Sequence, residues 1–273
     1  TIKMLLTDRE TNKVYFSRLI QDFACYHSIV KKLDKHHIEH QALPCTKDYW
    51  IRDFMPIQIS DKEFIQYEYN PDYLQNSLDY ITNPTSCCRS LGIETKHLEL
   101  VVDGGNVIKC VDSIIMTDKV FIENPNYPKL QLINLLEATF GCEIIFIPWD
   151  RNEVYGHADG MVRHIEGNKV LLNNYGNCDK AFRNKMVKIL QARFNIVELN
   201  YKTSKPSTYN WAYVNYIQVQ NLILLPALGI DEDEQALEQF CKIFPNQQIE
   251  QVDVSEIVPL GGALNCISWQ IKH

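Results

Sequence analysis

An α/β protein closed into a five-unit ring around one central site is the fold class this sequence predicts. Three observations carry the prediction. Five helix-like stretches are each followed by a short β-type run. A polar cluster comes directly after each of those runs, at nearly regular spacing. No linker rich in Pro, Gly or Ser interrupts the series, so residues 1–273 are expected to form a single domain.

In chain order, the helical stretches are expected near residues 14–36, 72–91, 128–140, 179–194 and 232–244. The runs that follow them are HIEHQAL, HLELVV, EIIFIPW, NIVELNY and QIEQVDV. The last helix, DEDEQALEQFCKIF, is the clearest, with acidic residues at its start where the helix dipole favours them. EFIQYEY, SIIMTDKVF, MVRHI, KVLLNNY and YIQVQNLILLP supply further strands. The polar clusters are YWIRDFMP at 49–56, DGGN at 103–106, GHADG at 156–160, AYVNY at 212–216 and GGALNC at 261–266. With Asp53, Asp103, His157, Asn215 and Cys266 as markers, successive gaps are 50, 54, 58 and 51 residues. Side chains on adjoining turns of a ring converge on its axis. The Gly-Gly turn before Cys266, in the terminal run VPLGGALNCISWQIKH, therefore reads as part of a site rather than as a turn before a buried thiol.

Composition narrows the chemistry. A 45% hydrophobic and 22% charged chain is ordinary for a globular protein. A net charge of −7 disfavours nucleic acid and anionic membrane as partners and suits a small cation better. No apolar run reaches membrane-spanning length, and TIKMLLTDRE lacks a secretory pattern, although trimming ahead of Thr1 stays open. Nine cysteines without a CxxC argue against a disulfide framework or zinc ribbon, and Cys87 and Cys88 are expected to be free core or surface thiols. A reducing, cytoplasmic setting follows. His36, His37 and His40 have no Cys or carboxylate cluster to complete a site, so no metal is expected.

If the five clusters converge, they bring together a thiol, an imidazole, an amide and the carboxylates of Asp53, Asp103 and Asp159. Cys plus His is the minimum for thiolate catalysis. A thiol near pKa 8.5 needs about 2 kcal/mol of help to ionise fully at neutral pH, and neighbouring carboxylates work against it. Such a site calls for a substrate that brings positive charge, and a planar guanidinium matches paired carboxylates best. His157 and Asp159, two apart, share one face of an extended segment, and Gly156 and Gly160 allow close backbone approach. Taken singly, each motif also reads as a carboxylate in a glycine turn. Asn215 also reads as an amide bonding neighbouring backbone, and Arg52 as the partner of a nearby carboxylate.

In this order the five motifs resemble those of the agmatine deiminase and bacterial (Porphyromonas-type) peptidylarginine deiminase family, from about residue 49 to the C-terminus. The resemblance implies the pentein fold, a pseudo-fivefold α/β propeller with its active site on the central axis. It implies Cys266 as nucleophile, His157 as proton carrier, and Asp103 in the place where many members have a Glu that orients the histidine. It implies Asp53 and Asp159 as the grip on the guanidinium, Asn215 as an active-site amide, and no cofactor; Trp50 and Arg52, in the same motif as Asp53, are also expected beside the substrate. Asn265 departs from the pattern, since agmatine deiminases usually carry His before the cysteine. Tyr49, Tyr155, Trp211 and Tyr213 flank the motifs and line a channel or belong to the core.

The expected activity is hydrolysis of a guanidino compound to a ureido product and ammonia through a Cys266 thiouronium. Agmatine is the first substrate, which would place the reaction in putrescine biosynthesis. Peptidyl or free arginine, amidino transfer and a non-catalytic pentein binding module are the alternatives. Oligomeric state is not legible, a homodimer being one option.

Overall fold

Five three-stranded sheets of one mixed design stand in place of a single continuous sheet. In the computed structural model, which describes residues 4–273, Thr1 lies outside the described residues. The sheets are built from β1 (Lys13–Ser17) and β2 (Glu39–Leu43), then β3 (Ile57–Gln58), β4 (Phe64–Glu68) and β5 (Lys96–Val101). Next come β6 (Ile108–Lys109), β7 (Ser113–Thr117) and β8 (Glu143–Ile147), then β9 (Val162–Glu166), β10 (Lys169–Leu172) and β11 (Asn195–Glu198). The last are β12 (Ile217–Val219), β13 (Leu222–Ala227), β14 (Gln248–Asp253) and β15 (Ser268–Ile271). The middle strand of each sheet is antiparallel to one neighbour and parallel to the other. A parallel pair needs a crossover, and helices Ala24–Lys35, Thr85–Ser90, Lys129–Phe140, Lys180–Leu190 and Glu232–Ile243 lie in the five crossovers.

The ring is closed by the two ends of the chain. β15 runs antiparallel to β1, with Phe16 opposite Ser268 and Lys13 opposite Ile271. The fifth sheet is therefore shared between the first and last residues of the fold, which a helix-first reading of the repeat does not show.

Apolar residues at helical spacing pack each long helix onto its sheet: Ile29 and Leu33, Leu132 and Leu136, Met186 and Leu190, Ala236 and Phe240. Each fully buried large side chain contributes about 1.5–3 kcal/mol. Four such clusters fill the ring. No described helix is long and apolar enough to cross a membrane.

Three expectations need correction. The helix expected over 14–36 opens as β1, because Val14, Tyr15, Phe16 and Ser17 are all buried and such a run has no alternation to mark it as a strand. Of the stretch 72–91 only Thr85–Ser90 is α-helix; single 3-10 turns at 72–74 and 78–80 precede Pro84, whose fixed backbone geometry stops a helix from running through. Cys87 is bonded to Cys45 across 42 residues of sequence, the fold bringing their Cα atoms to 5.7 Å, rather than standing free. Cys88 is free and buried as expected.

What matters for function is where each sheet hands over to the next. The segments leaving the C-terminal ends of β2, β5, β8, β11 and β14 carry Asp53, Asp103, His157 with Asp159, Asn215 and Cys266 in turn. All five links occupy equivalent places in the ring.

Candidate active site

The cysteine is held by its neighbours' backbone and one amide. Gly261 sits at φ 109°, left-handed backbone that glycine tolerates. A Cβ on Gly262 would overlap the Trp50 ring. Asn215 Oδ1 accepts from the backbone N–H of both Asn265 (3.0 Å) and Cys266 (3.2 Å), and the Asn215 carbonyl also accepts from Asn265 N (3.0 Å). The Cys266 carbonyl accepts from Arg52 N at 3.2 Å. Cys266 is thus fixed from two neighbouring links, at 7% exposure.

Both ring nitrogens of His157 face carboxylates. Nε2 lies 2.8 Å from Asp103 Oδ2 and Nδ1 lies 3.6 Å from Asp53 Oδ1. Gly105 N donates to that same Asp53 oxygen at 3.1 Å, and a Cβ on Gly105 would come within 2.7 Å of it and 2.8 Å of Nδ1. Glycine is therefore required where the aspartate, the imidazole and the DGGN backbone meet. Glu153 braces the approach to His157, its carboxylate accepting from the N–H groups of Tyr155 (2.8 Å), Gly156 and His157 (3.2 Å).

Electrostatics follow from this crowding. Burial opposes charge on His157, but Asp53, Asp103 and Asp159 prevail and lift it to about 10, an imidazolium at neutral pH. Burial raises Asp53 to about 7, partly countered by His157. Asp103 goes the other way: burial would raise it, yet the His157 hydrogen bond and Lys119 keep it below the usual carboxylate range. The Cys266 thiol is pushed well up, first by burial and then by Asp159 and Asp53. Its Sγ stands 3.7 Å from Asp159 Oδ2, a thiol donor facing a carboxylate.

Two cavities meet at the cysteine. The larger, about 480 Å³, is lined by Asp159, Trp211, Asn174 and Asp179 among others, and the smaller, about 100 Å³, by Asp53, Trp50, Tyr69 and Tyr73. Tyr155, His157, Gly261 and Cys266 belong to both. One carboxylate thus stands on each side of the thiol and imidazole, an arrangement able to hold a small planar cation over Sγ.

The structure gathers Cys266, His157, Asp103, Asp53 and Asp159 into one place and puts Trp50 in the wall of the smaller cavity. Two expected substrate contacts lie elsewhere. Asn215 is fully buried behind Cys266, its acceptor spent on the 265–266 backbone. Arg52 faces away from both cavities and donates to the Asn265 carbonyl (3.4 Å) and to Gln270. Tyr155 and Trp211 line the larger cavity, Tyr49 packs against Trp50 beside the smaller, and Tyr213 is core. The departure Asn265 points into the site's second tier, donating to Asp159 Oδ2 at 2.7 Å.

Sequence reasoning missed Lys119 and Glu153. Lys119 is hidden inside SIIMTDKVF, read as one strand; the strand stops at Thr117 and a short helix, Lys119–Glu123, begins. Glu153 lies in an irregular segment with no periodicity to flag it.

The sequence profile described as Porphyromonas-type peptidyl-arginine deiminase matches residues 5–271. A candidate agmatine deiminase of Legionella pneumophila is 26% identical over 264 residues, covering 86% of this chain and 75% of its own length. Among solved structures, an agmatine deiminase of C. jejuni with substrate bound superposes with a TM-score of 0.83 at 18% identity, over 99% of this chain and 96% of that one. A dimethylarginine dimethylaminohydrolase adduct superposes with a TM-score of 0.62 at 14% identity, over 96% and 100%. The fold of five small mixed sheets is that of the penteins.

Proposed function

The chain belongs to the Porphyromonas-type peptidyl-arginine deiminase family, and on that premise we propose that it hydrolyses a guanidino compound, agmatine first among them, to a ureido product and ammonia. The observation that carries the reading is the thiol and imidazole shared by two cavities, each with its own carboxylate. Asp53 and Asp159 would grip the guanidinium nitrogens from opposite sides. The larger cavity would take the tail.

The free site holds a protonated thiol beside a protonated imidazole. An entering guanidinium partly cancels the carboxylate field, so the thiol can release its proton to solvent water as the cation binds, His157 being already protonated. Sγ then bonds to the guanidinium carbon. His157 donates a proton to the departing nitrogen, ammonia leaves, and a thiouronium remains on Cys266. Water adds to that carbon as the neutral His157 takes its proton, and collapse expels the thiolate with the ureido product. Asp103 keeps the ring aligned for both transfers.

Ammonia and ureido product are assayed over a panel of agmatine, arginine, peptidyl-arginine and simpler guanidines. Turnover of at least one, absent in Cys266→Ser, is expected. A panel without turnover would favour a non-catalytic binding role.

A further inference from the structure

We propose that Lys119 is a positioning residue of this site, whose ammonium fixes the Asp103 carboxylate that in turn holds His157. The inference rests on the assignment of His157 as proton carrier.

A lysine side chain 1% exposed is rare, because burying an ammonium is costly unless it is paired. Nζ lies 3.1 Å from Asp72 Oδ1, 3.1 Å from Glu123 Oε1 and 3.5 Å from Asp103 Oδ2. The oxygen it meets on Asp103 is the one that bonds His157. The other, Oδ1, is buried and has no hydrogen-bond partner among the described residues. Lys119 and His157 share one oxygen of this carboxylate, and the Tyr73 hydroxyl is its other neighbouring donor, so Lys119 is the one permanent cation that fixes Asp103 against the histidine it steadies.

The same side chain also supports the histidine's backbone. Gly156, directly before His157, is at φ +71°, and a Cβ there would come 2.6 Å from Lys119 Cδ. Thr117, two residues before Lys119, donates through Oγ1 to the Gly156 carbonyl at 2.6 Å. Nζ is 4.6 Å from the centre of the Tyr73 ring, which belongs to the wall of the smaller cavity. Lys119 itself lines neither cavity, so it acts on turnover only through its neighbours, with Asp103 the one that bonds His157.

Charge and position can be separated. His157 faces the carboxyl groups of Asp53, Asp103 and Asp159, with Cys266 and the Tyr73 and Tyr155 rings nearby and Glu153 on its backbone. Behind Asp103 stand Lys119 and Glu123. Replacing Lys119→Met alone strips the cation from between carboxylates and is expected to lower Tm. Combining Lys119→Met with Glu123→Gln removes one charge of each sign and keeps the buried volume, so folding should recover.

The test compares wild type, K119M and K119M/E123Q in Tm, in kcat and KM, and in the imidazole titration of His157 by NMR, assigned by its loss in His157→Asn. In the folded double variant, kcat is expected to stay down by as much as about 10²-fold with KM little changed. The His157 titration should fall by about one unit, because a loosened Asp103 holds the ring proton less well. A double variant whose His157 titrates as in wild type overturns the proposal and leaves Lys119 as a compensating charge. That readout needs no turnover, so it judges Lys119 even if no guanidino compound proves to be a substrate.

Discussion

The same linking segments border two chambers of opposite charge. On the reactive side stand Asp53, Asp159, Glu153 and the His157–Asp103 pair. On the other side a small chamber is lined by Arg52, Lys109 and Arg163 with Asp8 as its carboxylate. Arg163 bonds Asp8 at 3.0 Å and the Tyr216 carbonyl at 2.9 Å, while Lys109 donates to the Gln58 carbonyl at 2.9 Å. Single steps along the chain separate them: Asp53 and Cys266 face one chamber, and their neighbours Arg52 and Asn265 border the other. Cations are sorted away from the place where a cationic substrate would bind, and one of them, Arg52, ties the segment carrying Cys266 to the ring. Lys119 is the buried exception on the acidic side.

The sharpest break in this comparison is chemical. Cys266→Ser should abolish turnover while leaving a folded protein, since a hydroxyl is a far weaker nucleophile and the volume change is small. His157→Asn should cost roughly 10²–10⁴ in kcat. Near wild-type ammonia release from either would remove that group from the chemistry.

Substitutions one residue apart should then fail in different ways. Asp53→Asn and Asp159→Asn are expected to weaken guanidino binding by about 2–5 kcal/mol, read by calorimetry in the Cys266→Ser background. Arg52→Met should instead lower stability by about 1–3 kcal/mol, through acceptors left unpaired, with binding in the folded protein largely kept. Equal losses of affinity from both sides would mean that the chambers are not independent.

A smaller effect concerns protons. Binding a guanidinium should release protons from Cys266 and Asp53, both held up by burial and by like charge. Thiolate absorbance, with Cys266→Ser as the blank, should show an apparent pKa that falls when a slow guanidino inhibitor binds. A pKa that rises would oppose substrate-assisted ionisation.

The smallest effect is the pH dependence of Tm, where the two sides have opposite signs. His157 is raised from 6.5 to about 10, so its stabilisation is complete below 6.5 and is lost as pH rises through 10. Asp53 adds to the decline between 3.8 and about 7, because the folded state favours its protonated form. Lys109, lowered by burial from 10.5 to about 8, makes stability rise over that interval. His157→Asn should therefore flatten the alkaline decline of Tm and Lys109→Met should steepen it.

These contrasts explain what could be read in advance. The five clusters were legible because each ends a parallel strand, and a ring repeats that point at nearly constant spacing. Asp53, Asp103, His157, Asp159 and Cys266 came together as that register requires. Arg52 and Asn215 were misplaced because spacing locates a cluster but not which way each of its side chains turns. Lys119 was invisible because a lysine two residues past a strand looks like any solvated charge. Its three carboxylate partners come from residues 72, 103 and 123, and only the fold assembles them. The Cys45–Cys87 bond lies beyond pattern reading for the same reason.

Closure of the ring by β15 on β1 has a consequence for biosynthesis. Cys266 stands two residues ahead of β15, so the strand beside it must pair with β1, from the opposite end of the fold. Contacts between distant parts of a chain form slowly, because loop entropy is lost before they reward it. A nascent or truncated chain can build several of the helix-and-sheet units while His157 and its carboxylates still lack their thiol. On the proposed chemistry, reactivity arrives only when β15 pairs with β1, and copies without that pairing stay chemically silent.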